Sequence, residues 1–307
     1  MLNVIWCTSV HCENDWETTW IQELLSLGNI EYKIQNFTNH ILPNSLIVCN
    51  NINYYQYLLE YEKNGIPFGL IHLSDEYLNE NYSIIYNFKM CKFVFRNYYN
   101  KIFENHPKVI HFALGYKYDL WKSISDEDKK NVATFSCDKR QYDWSFAGAV
   151  EAHIDRKEVI NLFQHIGNNK VIIEIGNSFQ KPISGLNSND YRSLMINSKF
   201  SLSPAGWKNL ESFRLTEALE CGSIPISVKY RSPKQYVFPS HWEKIFGEKI
   251  PFIMEETWQE SYEKVQELLK PENANKLENM RVECCQFWRK YKNKISNKLA
   301  EKIKLLN

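Results

Sequence analysis

Short apolar runs alternate along this chain with longer stretches in which apolar positions recur at helical spacing. In the first half, residues 3–7, 45–49, 68–73, 91–96 and 108–112 read as strands. Residues 16–27 and 54–63 read as helices, the first stopped by Gly28 and the second by Asn64-Gly65. Residues 122–142 are polar and aperiodic and form the best candidate for an interdomain linker. The alternation then restarts. Strands are expected at 143–147, 170–175, 199–202 and 223–228, with helices at 156–166, 190–197, 212–221, 257–269 and 273–306. Strands separated by helices in this way are the signature of parallel βα units. The expectation is an α/β protein of two Rossmann-like domains facing across a cleft. An N-terminal domain would span residues 1–125 and a C-terminal one 140–280, with a long helix over 281–307 closing the chain.

Composition narrows the function classes. At 307 residues the chain is long enough for two domains, and 44% hydrophobic with 24% charged residues is ordinary for a protein with a packed core. The formal net charge is only +1, so the basic excess of a nucleic-acid-binding domain is missing. The lysine-rich stretch 289–304 reads as a solvated helix face rather than a binding arm. The first residues have no basic segment and too short an apolar run for a signal peptide, and no stretch approaches the length of a membrane span. The eight cysteines are irregularly spaced, with no C-x-x-C pair, and several sit inside apolar runs as small hydrophobes. Cys7, His11 and Cys12 lack a second ligand pair at zinc-site spacing, so no metal site is expected there. The cysteine pattern suits a reducing compartment, and a cytoplasmic location is the expectation.

The segment 199–228 carries the most chemistry: KFSLSPAGWKNLESFRLTEALECGSIPISV. A strand runs into a loop holding Ser203, Pro204, Ala205 and Gly206, and the loop feeds a helix. In open α/β sheets, ligands bind at the carboxyl ends of strands, where helix N-termini favour anions such as a pyrophosphate. Gly206 lets the backbone approach a ligand with no Cβ in the way. Arg214 and Glu217, three apart, share one helix face. Arginine offers a planar fork to phosphate oxygens, and a glutamate accepts from the two hydroxyls of a ribose. The spacing alone is equally consistent with a surface ion pair.

Ser203-Pro204-Ala205-Gly206, Phe213-Arg214-Leu215-Thr216-Glu217-Ala218 and Gly222-Ser223-Ile224-Pro225 occur in that order within about thirty residues. So ordered, they resemble the signature of the exostosin family of glycosyltransferases (family 47). Trp144-Ser145-Phe146-Ala147-Gly148, followed by Arg156, resembles that family's Phe-x-Gly strand and its downstream phosphate-facing arginine. In the first half, His72-Leu73-Ser74-Asp75-Glu76, Phe95-Arg96-Asn97-Tyr98 and His111-Phe112-Ala113-Leu114-Gly115 are similar to the ribitol xylosyltransferase branch. The resemblance spans residues 66–295. It implies a GT-B fold and an inverting transfer. It also implies donor binding mainly by the C-terminal half, with a nucleotide sugar as substrate, no separate cofactor and no essential metal.

Roles follow from the resemblance and the residues together. Arg214 is expected at the donor diphosphate, Glu217 at the ribose and Arg156 at a second phosphate contact, with Ser203, Gly206 and Ser212 lining the donor pocket. Ser212 is equally suited to cap the helix. An inverting transfer requires a base for the acceptor hydroxyl, and Asp75, with Glu76 next to it, is the choice, although either also suits a capping role. Arg96 and Asn97 are expected at the acceptor or leaving group, and His72 as a packed strand residue. Asp126-Glu127-Asp128 has the spacing of a metal-binding Asp-x-Asp but reads as a solvated charge run, so no metal is expected there. The expected donor is a UDP-sugar, with UDP-xylose within range, and the acceptor a carbohydrate such as a surface glycan. A non-catalytic nucleotide-sugar-binding or glycan-binding protein of the same fold is the competing reading.

Overall fold

The computed structural model describes residues 1–7, 17–37, 40–49, 54–76, 78, 82–117, 119–122, 124–151, 154–174, 185–229, 241–247 and 249–306. The chain divides into two compact units. One comprises residues 1–114, 244–246 and 290–307, and the other residues 115–243 and 247–289.

The first unit is built on a six-stranded sheet. Its strands are β1 (Leu2–Cys7), β2 (Tyr32–Asn36), β3 (Ser45–Cys49), β4 (Phe68–His72), β5 (Cys91–Arg96) and β6 (Val109–His111), in spatial order β2-β1-β3-β4-β5-β6. Every pairing is parallel. β3 and β4 are buried at every position, as strands covered on both faces must be. Helix α1 (Thr18–Leu27) buries Trp20, Ile21, Leu24 and Leu25 on one face. It ends at Gly28, where a Cβ would press within 3.1 Å of the Ser296 carbonyl. α2 (Tyr55–Lys63) and α3 (Tyr82–Asn87) complete this part of the chain.

The second unit has a five-stranded parallel sheet of β7 (Tyr142–Ala149), β8 (Asn169–Glu174), β9 (Ser198–Leu202), β10 (Ile224–Val228) and β11 (Ile253–Glu255), in order β11-β10-β9-β7-β8. Its helices are α4 (Asp126–Val132), α5 (Ile154–Phe163), α6 (Ser188–Ile196), α7 (Phe213–Glu220), α8 (His241–Phe246) and α9 (Trp258–Leu268), the last residues of α8 belonging to the first unit. Side-chain caps set several starts: Ser125 accepts from Asp128 N–H, Asn187 from Asp190 N–H, and Thr257 with Glu260 forms a capping box. α10 (Ala274–Ile303) is a 30-residue helix whose first part belongs to this unit and whose end belongs to the first.

Most expected elements are present within a few residues of their sequence bounds. The segment 122–142, expected as a linker, instead contains α4 and folds with the second unit. Arg140 is only 4% exposed there, because its guanidinium donates to the Phe135, Met195 and Ser198 carbonyls. Strands β2 and β11 and helices α3 and α8 were not anticipated. Trp16, where the first helix was expected to start, lies outside the described residues, as do His11 and Cys12. The described cysteines are free thiols, buried except for half-buried Cys285. No helix among the described residues is long and apolar enough to cross a membrane.

Candidate functional site

In the second sheet, β7 lies between β8 and β9. Connections from β7 and β9 therefore leave the carboxyl edge in opposite directions, which creates the topological switch point at which α/β sheets receive ligands. The motif residues of the second half gather there. β7 ends on Gly148-Ala149, β9 runs into Ser203-Pro204-Ala205-Gly206, and α7 begins at Phe213.

Arg214, second residue of α7, is half-buried. Its Nε donates to the Ala147 carbonyl at 2.8 Å, and its guanidinium carbon lies 4.9 Å from the centre of the Phe146 ring. Both Nη groups are left without a protein partner among the described residues. Gly148 makes the approach possible. Its φ is +144°, and a Cβ at that position would overlap Arg214 Nη2. The strand thus holds the arginine by one edge and one face, and the fork remains unspent.

Arg156, in the first turn of α5, is 3% exposed. It donates to the Ala149 carbonyl at 2.7 Å through Nη1, and to the Ala205 carbonyl at 3.2 and 2.9 Å through Nε and Nη2. The structure therefore places this side chain across the two segments that diverge at the switch point. Ser203 is buried, with its N–H on the Ile226 carbonyl at 2.8 Å, and Gly206 is buried beside it. Ser212 occupies the N-cap position of α7 in an extended conformation, yet its side chain makes no cap hydrogen bond. Its Oγ is buried without a partner among the described residues.

Glu217 is 1% exposed. Oε2 accepts from the Tyr191 hydroxyl at 2.7 Å and Oε1 from the Lys117 N–H at 3.2 Å. Burial, followed by the negative charge of Glu217, pushes the Tyr191 phenol well above its usual range, so this hydroxyl stays a donor. The Lys117 ammonium lies 5.6 Å from the Tyr191 ring centre. Tyr191 and Lys117 carry no sequence signal: one is 26 positions upstream on α6, the other in an irregular segment, and neither belongs to a motif. At the far end of α7, Glu220 accepts from the Trp288 indole N–H and pairs with Lys129 at 3.2 Å.

The remaining sequence candidates lie in the first unit, at the ends of β4 and β5. Arg96 is 1% exposed and 3.0 Å from Asp75 Oδ2. It also donates to the Asp75 carbonyl at 3.0 Å, to the Tyr86 hydroxyl at 3.1 Å and to His72 Nδ1 at 3.0 Å. A guanidinium can only donate, so His72 must accept and is neutral. Burial and the Arg96 charge accordingly hold the imidazole well below its ordinary range. Asn97, also 1% exposed, donates to Glu17 Oε1 at 2.5 Å and accepts the Ser74 N–H at 3.0 Å, fixing Ser74 at φ +62°. Glu76 is half-buried. Arg96, Asn97 and His72 thus form a buried framework around the turn that carries Asp75 and Glu76. In the second unit, Asp126-Glu127-Asp128 opens α4, with Asp128 held by Ser125.

The family model of the RXYLT1 C-terminal domain matches residues 125–305. No curated protein matches the chain in sequence. Among solved structures, the apo structure of OtsA is similar at a TM-score of 0.59 and 8% identity, covering 99% of this chain and 99% of that one. The Anabaena Alr3699/HepE structure in complex with UDP and glucose is similar at a TM-score of 0.51 and 10% identity, covering 99% of this chain and 100% of that one. At these identities the likeness is one of fold, and the fold is the expected GT-B type with two parallel-sheet α/β units.

Proposed function

Because the chain belongs to the RXYLT1 C-terminal domain family, we propose that it is a glycosyltransferase moving a sugar from a UDP-linked donor to a carbohydrate acceptor with inversion. The observation that carries this reading is the posture of Arg214. Nε and the ring face of Phe146 anchor the guanidinium at the end of β7, while the Nη fork has no protein partner among the described residues. A planar, bidentate donor at a switch point beside a helix N-terminus suits a diphosphate. UDP is chosen because it is the nucleotide in the HepE structure, which shares the fold. UDP-xylose is within the range of donors, and a surface glycan within that of acceptors.

In this reading Arg214 takes the diphosphate, and Ser212 Oγ, Ser203 and the Gly206 backbone surround it. Arg156, spent on carbonyls, positions the loop that carries Gly206. Glu217 takes the ribose hydroxyls with the lone pairs that Tyr191 and Lys117 leave. The acceptor hydroxyl attacks the anomeric carbon as the bond to the diphosphate breaks. A carboxylate removes the hydroxyl proton, and the departing oxygen keeps the electron pair under the field of Arg214 and the α7 N-terminus. Of the two expected bases, Asp75 is bound to Arg96, which makes Glu76 the stronger candidate. Arg96 and Asn97 position that turn.

The pairing of Asp75 with Arg96 is also what favours the second reading, a non-catalytic protein that binds nucleotide sugars. Incubating the protein with a panel of UDP-sugars and glycan acceptors, and measuring UDP release with product formation, separates the two. Acceptor-dependent UDP release supports the transferase. Binding with no release under any acceptor supports the second reading.

A further inference from the structure

The last turns of α10 concentrate the charge of the protein. From Arg289 to Lys304 there are seven cations and one carboxylate, six positive charges net, so the rest of the chain carries five negative ones to reach the overall +1. Lys290, Lys294, Lys298 and Lys302 follow at four-residue intervals, a row of about 18 Å at 1.5 Å per residue. The first three are exposed and Lys302 is half-buried. One position on from the first three lysines, about 100° round the helix, Tyr291, Ile295 and Leu299 are buried.

Like charges at i, i+4 repel. Partial burial lowers the Lys298 ammonium below its ordinary range, and the charges of Lys302 and Lys294 lower it further, with Glu301 opposing. Some of the stretch is engaged within the protein: Lys292 pairs with Glu23 at 2.9 Å, and Lys294, itself in the row, donates to the Phe246 carbonyl at 3.2 Å. Lys298 and Lys302 form no ion pair among the described residues. One turn beyond Glu301, Leu305 stands 49% exposed. Helical spacing puts it on the same side as Lys294 and Lys298.

We propose that this face docks the protein on a negatively charged lipid surface. Anionic headgroups neutralise the lysine row, whose aliphatic stems lie along the interface with the ammonium groups outward. Leu305 inserts among the acyl-chain ends, a contact that rewards a leucine in a membrane and not against a dissolved polyanion. The solvated face expected from the sequence becomes a contact surface, and this inference stands apart from the transferase reading.

The test is co-sedimentation of the full chain with vesicles of phosphatidylcholine alone and with phosphatidylglycerol added. The expected result is binding only to the anionic vesicles, reversed by high salt. Each lysine near such a surface is worth about fivefold, so Lys298→Gln/Lys302→Gln lowers partition about twenty-five-fold. The control Lys139→Gln/Lys276→Gln, equal in charge change, leaves it within about twofold. Leu305→Ser weakens vesicle binding and leaves retention on a sulfated-polysaccharide column unchanged. Equal binding to neutral vesicles, or wild-type binding by the double lysine variant, overturns the proposal. So does retention on the polysaccharide column with no vesicle binding. Circular dichroism of each variant excludes unfolding as the cause.

Discussion

Arg214 fills the space that a side chain on Gly148 would need, so the shape of the β7 terminus and the posture of the arginine are one arrangement. Replacing Gly148 by alanine meets two penalties, a φ of +144° that L-residues rarely adopt and an overlap with Nη2. Backbone strain of this kind costs about 1–3 kcal/mol. Gly148→Ala is expected to weaken UDP binding at least tenfold in calorimetric titration, with the far-ultraviolet circular dichroism unchanged.

Arg214→Ala is expected to abolish the thermal stabilisation that a UDP-sugar confers by mass action. Arg214→Lys restores only part of it, because an ammonium is a point charge without a fork. A full thermal response in the alanine variant would refute the diphosphate role.

Tyr191→Phe removes one of the two donors on the buried Glu217 carboxylate. Leaving that oxygen short of a partner costs about 1–3 kcal/mol in denaturant titration. If Glu217 receives the ribose, the variant also loses preference for UDP over 2′-deoxy-UDP. Comparing the two dissociation constants in both proteins reads this out, and an unchanged ratio would leave the tyrosine a purely structural role.

Asp75 and Glu76 are adjacent, but their substitutions are expected to separate. Asp75→Asn strips the buried Arg96 of its charge partner, a loss of about 3–5 kcal/mol. Glu76→Gln is expected to lower turnover by a factor of about 10²–10⁴. Denaturation midpoints and UDP-release rates of both variants check this assignment.

His72 predicts a pH dependence. Its folded-state affinity for a proton is depressed below the ordinary value of 6.5, so the unfolded chain takes up a proton that the folded chain refuses. The stability is complete above 6.5 and falls as pH drops below it, by up to about 1.4 kcal/mol per pH unit. Unfolding free energies measured between neutral and mildly acidic pH are expected to show that slope, reduced in His72→Gln.

The parallel strands could be read from the sequence because β3, β4 and β5 are buried nearly throughout and each is built around a short apolar run. β2 sits at the sheet edge, where Lys33 and Ile34 are exposed, and offers no such run. Residues 122–142 looked like a linker because their burial is bought with polar contacts. Arg140 folds inward onto carbonyls, and composition cannot report that. At the site, Arg214, Glu217 and Gly148 announced themselves through motif order. Tyr191 and the inward pairing of Arg96 with Asp75 did not, because each depends on a partner brought close only by the tertiary fold.

Tyr291 donates no motif to the chain, yet its hydroxyl accepts the Ala113 N–H at 2.7 Å across 178 positions, and its ring packs against Phe246. Both contacts lie within the first unit, which therefore draws on residues that follow the whole of the second unit in sequence. On the ribosome the first unit therefore stays incomplete, with apolar surface awaiting Tyr291, Ile295 and Leu299, until the second has emerged in full. Chaperone engagement with the first unit is expected to persist while the second is being synthesised.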